Sequence, residues 1–252
     1  AYNAFFKSAW SSAWQDSAYF SVARIDVLRG DYEEALEHID WSIDRNARNG
    51  RAYMVKVHVL RKLNRAREAI VLAKEALKRD QFNISVWFEL SLCYADIKHN
   101  ILQTENRDQL LQLSRGNTHN LIEYSLEYAA LGLYPDAIAL LKYTGERHQD
   151  PMIDYYLGYY YHHAGDQENS LQHLRKAGAA DPGCCFPNRL EDILVLQYAG
   201  QANPADARAP YYLGNLWYDK RQYAEVIAAG EHAAELDGQF PTVLRNLGIA
   251  DY

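Results

Sequence analysis

The sequence predicts an all-α chain, an α-solenoid of helix-turn-helix repeats with one inserted helix near 187–201, and three observations predict it. First, equivalent residues recur at one period: Tyr53 follows Tyr19, Ala69 follows Ala35, Ala76 follows Ser42 and Trp87 follows Tyr53, each by 34 residues. Self-similarity of that kind marks arrays whose units bury their apolar faces only by stacking. Second, turn residues fall at one phase of the period, as Gly30-Asp31, Asn64 and Gly165. Glycine, and to a lesser degree asparagine, accepts the positive φ that ends a helix, and Asp31 suits the start of the next. Third, the stretch from Pro151 to Pro182 contains a whole unit. Leu157, Gly158 and Tyr161 lie on its first helix, Gly165 in its turn, Ser170, Leu171 and Ala177 on its second helix, and Pro182 closes it.

Along the chain, Tyr2, Phe5, Phe6, Ala9, Trp10 and Ala13 share one helical face and predict an amphipathic helix over 1–14, a second helix without its first. The first full unit, 15–48, sets Tyr19, Val22, Ala23 and Asp26 on one helix and Tyr32, Ala35, Leu36, Ile39 and Ser42 on the other. Unit 49–83 repeats it. Unit 84–117 begins regularly with Trp87, Leu90, Ser91 and Tyr94, but Gln103 takes a small-residue position and only Leu110, Leu111 and Leu113 follow, which predicts a shortened or irregular second helix. Unit 118–150 restores the phase, with Tyr124 at 34 residues from Leu90. Unit 151–184 comes next. Leu213 then lies 56 residues beyond Leu157, a period of 34 plus 22 extra residues, and the excess carries Leu190, Ile193, Leu194 and Leu196 at helical spacing. Unit 207–240 has Tyr212, Leu213, Gly214, Trp217, Tyr223, Ile227 and Ala233, and Leu247, 34 residues after Leu213, opens a last half-unit at Pro241. The expectation is a single array over 1–252, cut within a repeat at both ends and so a fragment of a longer polypeptide.

The Leu-Gly-x-x-Tyr run, the small residues of the second helix and the terminal Pro resemble the tetratricopeptide repeat (TPR). The resemblance implies that helices approach closely at Gly158, Gly214, Gly248, Ala23 and Ser91, and again at Ala35, Ala69 and Ala137, where larger side chains would overpack. It also implies a concave surface built from the first helix of each pair. Carrying the family's inward-facing positions across yields Arg51, Met54, His58, Arg61 and Lys62 from the second unit, and Met152, Tyr155, Tyr159, His162 and His163 from the fifth. The sixth contributes Arg208, Tyr211, Asn215, Tyr218 and Asp219, and the last helix Thr242, Arg245, Ile249 and Tyr252. The candidate ligand-binding residues are therefore Arg51, His58, Tyr155, Tyr159, His162, Arg208, Tyr211, Asn215, Tyr218 and Arg245. Tyr numbers 20 in the chain, and rigid rings with polar tips bury area at low entropic cost. Asn215 resembles the groove Asn with which some TPR co-chaperones hold a peptide's backbone or terminal carboxylate. Those proteins carry Lys where this chain has Tyr211, which argues against a chaperone-tail clamp.

Composition excludes several classes. A net charge of -7 with scattered Lys and Arg argues against nucleic acid. No apolar run reaches membrane-spanning length. Three Cys is an odd, low count that suits a reducing compartment, and a cytoplasmic location is expected. Cys93 reads as a small core residue; Cys184 and Cys185 read as ordinary loop thiols or, less simply, as a vicinal redox pair. His162 and His163 point about 100 degrees apart on a helix with no further ligand at metal spacing. No phosphate loop, nucleophile elbow or HExxH occurs, so neither catalysis nor a cofactor is expected.

The expected function is a scaffold that binds a protein or peptide on its concave surface. The segments FPNRLEDILVLQ and APYYLGNLWYDKRQYAEVI are similar to the helical part of large uncharacterised bacterial proteins with a β-sandwich region ahead of their TPRs, which implies an alternative, the accessory region of a larger and carbohydrate-active enzyme, or a seat for a flanking domain of the same polypeptide. Self-assembly through the cut ends is a third expectation.

Overall fold

The computed structural model describes residues 1–145, 150–183 and 185–250. Among these residues every regular element is a helix, and the chain divides into two compact units, Ala1–Gly132 and Leu133–Tyr252. The division falls inside the 118–150 unit expected from the sequence.

The N-terminal unit holds α1 (Tyr2–Ser8), a 3-10 turn (Ser12–Trp14), α2 (Gln15–Arg29), α3 (Tyr32–Arg45), α4 (Gly50–Lys62), α5 (Ala66–Arg79), α6 (Ile84–Asp96), α7 (Asn100–Ser114) and α8 (Thr118–Ala129). The C-terminal unit holds α9 (Tyr134–Gly145), α10 (Pro151–His163), α11 (Gln167–Ala179), α12 (Leu190–Ala202), α13 (Arg208–Asp219), α14 (Tyr223–Leu236) and α15 (Pro241–Ala250). The inserted helix is thus α12.

Local chemistry sets the helix ends. Asn49, Asn83 and Asn117 each accept the backbone N–H three residues on, at 3.3, 3.2 and 3.2 Å, and Asp166 does the same for Asn169 at 3.1 Å. The turns take positive φ at Gly30 (82°), Asn64 (59°) and Gly165 (83°), as their residue types allow. Helix crossings close on the small residues Ala23, Ala35, Ala69, Ser91 and Ala137, all fully buried. At Gly158 a Cβ would stand 2.6 Å from Leu174 Cδ2 and 3.2 Å from the Ser170 carbonyl, so the close approach is real. It is absent at Gly214, where the nearest atoms lie 3.7 Å from that point, and at Gly248, which has open space.

Three elements depart from the spacing. The first amphipathic stripe does not make one helix: Ser8 Oγ donates to Phe5 O at 2.6 Å and Ser11 is extended, so the helix stops at Ser8 and leaves Trp10 80% and Trp14 63% exposed. The second helix of the third repeat, expected short, is the unbroken α7 of 15 residues. Its polar core-facing residues satisfy themselves on the helix backbone, Asn106 Nδ2 to Leu102 O at 2.5 Å and Ser114 Oγ to Leu111 O at 3.1 Å, so Leu110 and Leu111 suffice to seat it.

The third departure is α8. It reaches α4 and α6 of its own unit, and the turn after it reaches α2. Arg24 Nη2 donates to Ala130 O at 3.4 Å, and Gly132 (φ 70°) leaves only 2.9 Å between a hypothetical Cβ and Leu28 Cδ2. Arg51 Nε meets Glu127 Oε1 at 2.8 Å, Ser85 Oγ donates to Glu127 Oε2 at 2.7 Å, and the Tyr128 hydroxyl donates to Ser85 O at 3.3 Å. A helix expected to continue the stack thus lies against the first helices of the repeats before it.

Candidate functional site

The first helices of the repeats carry the residues that the sequence singles out, and the structure treats them in three ways. In the N-terminal unit Arg51 is exposed but held by Glu127, with Glu123 at 3.9 Å. His58 is fully buried and is corrected from a surface residue to a core one. Its Nδ1 lies 3.3 Å from Glu89 Oε1, while Arg61 Nε donates to Glu89 Oε2 at 3.2 Å. Burial pushes the Glu89 carboxyl up, but Arg61 and His58 outweigh it and hold the group below its ordinary value. Sequence spacing missed Glu89, whose charge in the middle of a largely apolar helix was the available signal.

On α10 the expected groove is covered. Tyr155 is fully buried, a second correction, and its hydroxyl donates to Asp206 Oδ2 at 2.8 Å; Tyr156 donates to Asp192 Oδ1 at 2.6 Å. Each carboxylate also caps the start of a helix. Asp192 Oδ2 accepts from Asn188 N and Arg189 N, both at 2.9 Å, and Asp206 Oδ1 from Arg208 N at 2.8 Å and Ala209 N at 3.3 Å. Burial raises the Asp206 carboxyl, with the Tyr155 and backbone bonds pulling the other way; burial and the neighbouring carboxylates raise both tyrosine hydroxyls, so these remain protonated donors.

Tyr159 and His162 meet α12. The Tyr198 ring stacks on His162 at 4.4 Å and stands edge-on to Tyr159 at 5.8 Å, and its hydroxyl lies 3.0 Å from Ser170 Oγ. His162 Nδ1 also pairs with Gln167 Nε2 at 2.8 Å, and His163 stacks on Tyr134 at 4.9 Å. Burial and His162 lower His163, which favours a neutral ring. Among the described residues no three His, Cys, Asp or Glu side chains gather as a metal site. Cys185 is buried and burial pushes its thiol up to about 12, which suits an unreactive group; Cys184 and Tyr252 lie outside the described residues.

The third case is open. A cleft of about 320 Å³ is lined by Tyr211, Gly214, Asn215 and Tyr218 of α13, Val226 and Gly230 of α14, and Val243, Arg245, Asn246, Leu247 and Ile249 of α15, with Phe186 at its edge. Four of the candidate ligand-binding residues therefore converge, Tyr211, Asn215, Tyr218 and Arg245, together with the inward-facing Ile249. Asn246 Nδ2 donates to Asn215 Oδ1 at 3.0 Å, which ties α15 to α13. Arg245 donates to Asn246 Oδ1, from Nε at 3.2 Å and Nη2 at 3.0 Å, and pairs with no carboxylate among the described residues. Arg208 is not in the lining. Its guanidinium lies over the Phe240 ring at 4.0 Å, where Tyr211 also packs at 4.7 Å, so it supports the wall from behind. Sequence spacing missed Phe186, which lies in the Pro-flanked loop before α12.

Comparison with known proteins agrees with the repeat pattern. The tetratricopeptide repeat family model matches residues 23–84 and 125–183. Similar solved structures include "Crystal structure of MamA protein" (14% identity, covering 66% of this chain and 91% of that one, TM-score 0.39). Another is "YrrB: a TPR protein with an unusual peptide-binding site" (18% identity, 79% and 98% covered, TM-score 0.41). A third is TTC0263, a thermophilic TPR protein from Thermus thermophilus (17% identity, 74% and 98% covered, TM-score 0.42). No curated protein matches the chain. No helix among the described residues is long and apolar enough to cross a membrane. With its 34-residue period and paired helices, the chain carries tetratricopeptide repeats, matched by the family model over residues 23–84 and 125–183.

Proposed function

We propose that the chain is a protein-interaction scaffold, without catalysis of its own, that holds a protein or peptide in the cleft of α13, α14 and α15. One observation carries the reading: the cleft combines the rings of Tyr211 and Tyr218 with an apolar floor and the cation of Arg245. Such a mixture suits a polypeptide that buries side chains and anchors a polar or acidic group at the rim. Selection of a displayed random-peptide library on the chain tests it. Enriched sequences that lose binding to a Tyr211→Ala, Tyr218→Ala variant of unchanged helicity support the reading. No enrichment, or enrichment indifferent to both substitutions, contradicts it.

Self-association is a second reading, favoured by the exposed Trp10 and Trp14. Light scattering across a wide concentration range tests it, and a constant monomer mass sinks it.

A further inference from the structure

We infer that the N-terminal unit binds a small organic anion with an aromatic body, in a groove between two second helices; the inference is independent of the scaffold reading. The groove, of about 610 Å³, has α5 and α7 as walls and α6 as its floor. That volume lies within the range of about 300–1,000 Å³ in which small ligands are held. Lys74 and Lys78 stand one turn apart on α5, Trp87 and Tyr94 come from α6, and Glu105 and Gln109 line the groove from α7. Neither lysine meets a carboxylate among the described residues; Lys74 Nζ lies instead 5.8 Å from the centre of the Tyr94 ring. Tyr94 is only 4% exposed, yet its hydroxyl has no hydrogen-bond partner among the described residues. Buried polar groups are normally paired, so this one is a donor left for whatever fills the groove.

The repeat before it shows why the missing partner is an anion. The positions of Lys74, Lys78, Leu90, Tyr94 and Gln109 hold, 34 residues earlier, Asp40, Asp44, Lys56, Leu60 and Glu75, which line the matching hollows of α3, α4 and α5. There the acids stand on the walls and the chain supplies its own cation from the floor, Lys56 Nζ lying 2.5 Å from Asp40 Oδ1. One repeat later the signs reverse. Both acids of the first wall become lysines, the floor lysine becomes Leu90, and Glu75 becomes the neutral Gln109. The floor now brings no counter-charge, and the lysines outnumber the one lining carboxylate, Glu105, which is exposed on the far wall. Trp87 keeps the anchoring of Tyr53: its Nε1 donates to Gln81 O at 2.9 Å, as the Tyr53 hydroxyl donates to Ala47 O at 3.3 Å, so the ring is fixed in place. A flat apolar body would lie among Trp87, Leu90 and Leu102, with its acid group on Lys74 and Lys78 and the Tyr94 hydroxyl donating to it.

The test titrates the full chain with anilinonaphthalene sulfonate, a fluorescent aromatic anion, beside its uncharged counterpart N-phenylnaphthylamine. Saturable binding of the anion is expected, about tenfold or more tighter than that of the neutral dye. A variant with Lys74→Asp and Lys78→Asp, which carries the signs of the preceding repeat, should weaken the anion about tenfold or more and leave the neutral dye unchanged. Tyr94→Phe keeps the ring and should weaken the anion by about threefold to tenfold. Both lysines are exposed and the Tyr94 hydroxyl bonds to nothing among the described residues, so these variants keep their fold, which circular dichroism checks. N-acetyltryptophan should displace the dye, and its amide should not. No saturable binding of the anion, binding matched by the neutral dye, or binding indifferent to the lysine substitutions overturns the inference. So does displacement by a capped Glu-Trp-Glu peptide at lower concentration than N-acetyltryptophan, because the acid would then belong to a protein partner.

Discussion

The first helices α10 and α13 carry equivalent positions at an offset of 56 residues, yet among the described residues α10 is covered while α13 borders a cleft. On α10 the hydroxyls of Tyr155 and Tyr156 are spent on Asp206 and Asp192, and Tyr159 and His162 are closed over by Tyr198. On α13 the equivalent Tyr211, Asn215 and Tyr218 line a cleft. Part of the difference lies in the surplus of 22 residues, which places Tyr198 of α12 over Tyr159 and His162. On the proposed reading, a repeat's surface is free to bind only where the described residues leave it uncovered.

Asp192→Ala should break the comparison most strongly. It removes the cap of α12 and leaves the buried Tyr156 hydroxyl without an acceptor, costing about 3 kcal/mol. Thermal unfolding measures the loss, and α10 should become reactive at Tyr159. A matched glycine pair sharpens the contrast at smaller magnitude. Gly158→Ala forces a Cβ to within 2.6 Å of Leu174 Cδ2 and should cost about 1–3 kcal/mol, whereas Gly214→Ala has 3.7 Å of room and should be neutral or stabilising by up to about 1 kcal/mol. Equal costs in denaturant titration would contradict a close approach at Gly158 that is absent at Gly214.

Acidity separates the buried carboxylates by sign. Asp206 is raised by burial, so the stability it contributes is whole below its ordinary 3.8 and is lost as pH climbs through the higher folded value. Burial also pushes Glu89 upward, but Arg61 and His58 prevail; its contribution is whole above its ordinary 4.5 and is lost as pH falls through the lower folded value. Melting temperatures of Asp206→Asn and Glu89→Gln against pH should therefore change slope in opposite directions. The smallest expected effect on stability is that of Tyr218→Ala, under about 0.5 kcal/mol because the side chain is half exposed.

The helices and turns were largely legible in the sequence because period, glycine turns and small crossing residues are local or strictly repeated signals. Tyr211, Asn215, Tyr218 and Arg245 were legible for the same reason: position along a first helix sets the direction a side chain points. That rule failed at His58 and Tyr155, since direction does not say what lands on the face. His58 meets Glu89, 31 residues away, and Tyr155 meets Asp206, 51 residues away, and neither partner sits at a repeat position that spacing would pick. The course of α8 was likewise hidden, because its Tyr124 keeps the period while its last turn leaves the stack to meet Arg51 and Ser85. The unbroken α7 was missed because polar residues on a buried face can bond to their own helix, which composition does not reveal.

That the described residues cover the first-helix face of α10 but not that of α13 is tested most directly by tyrosine nitration with tetranitromethane, mapped by mass spectrometry on the native chain. Rapid modification of Tyr218 with slow modification of Tyr155 and Tyr156 is the predicted pattern. Modification of Tyr155 or Tyr156 as fast as Tyr218 would contradict it.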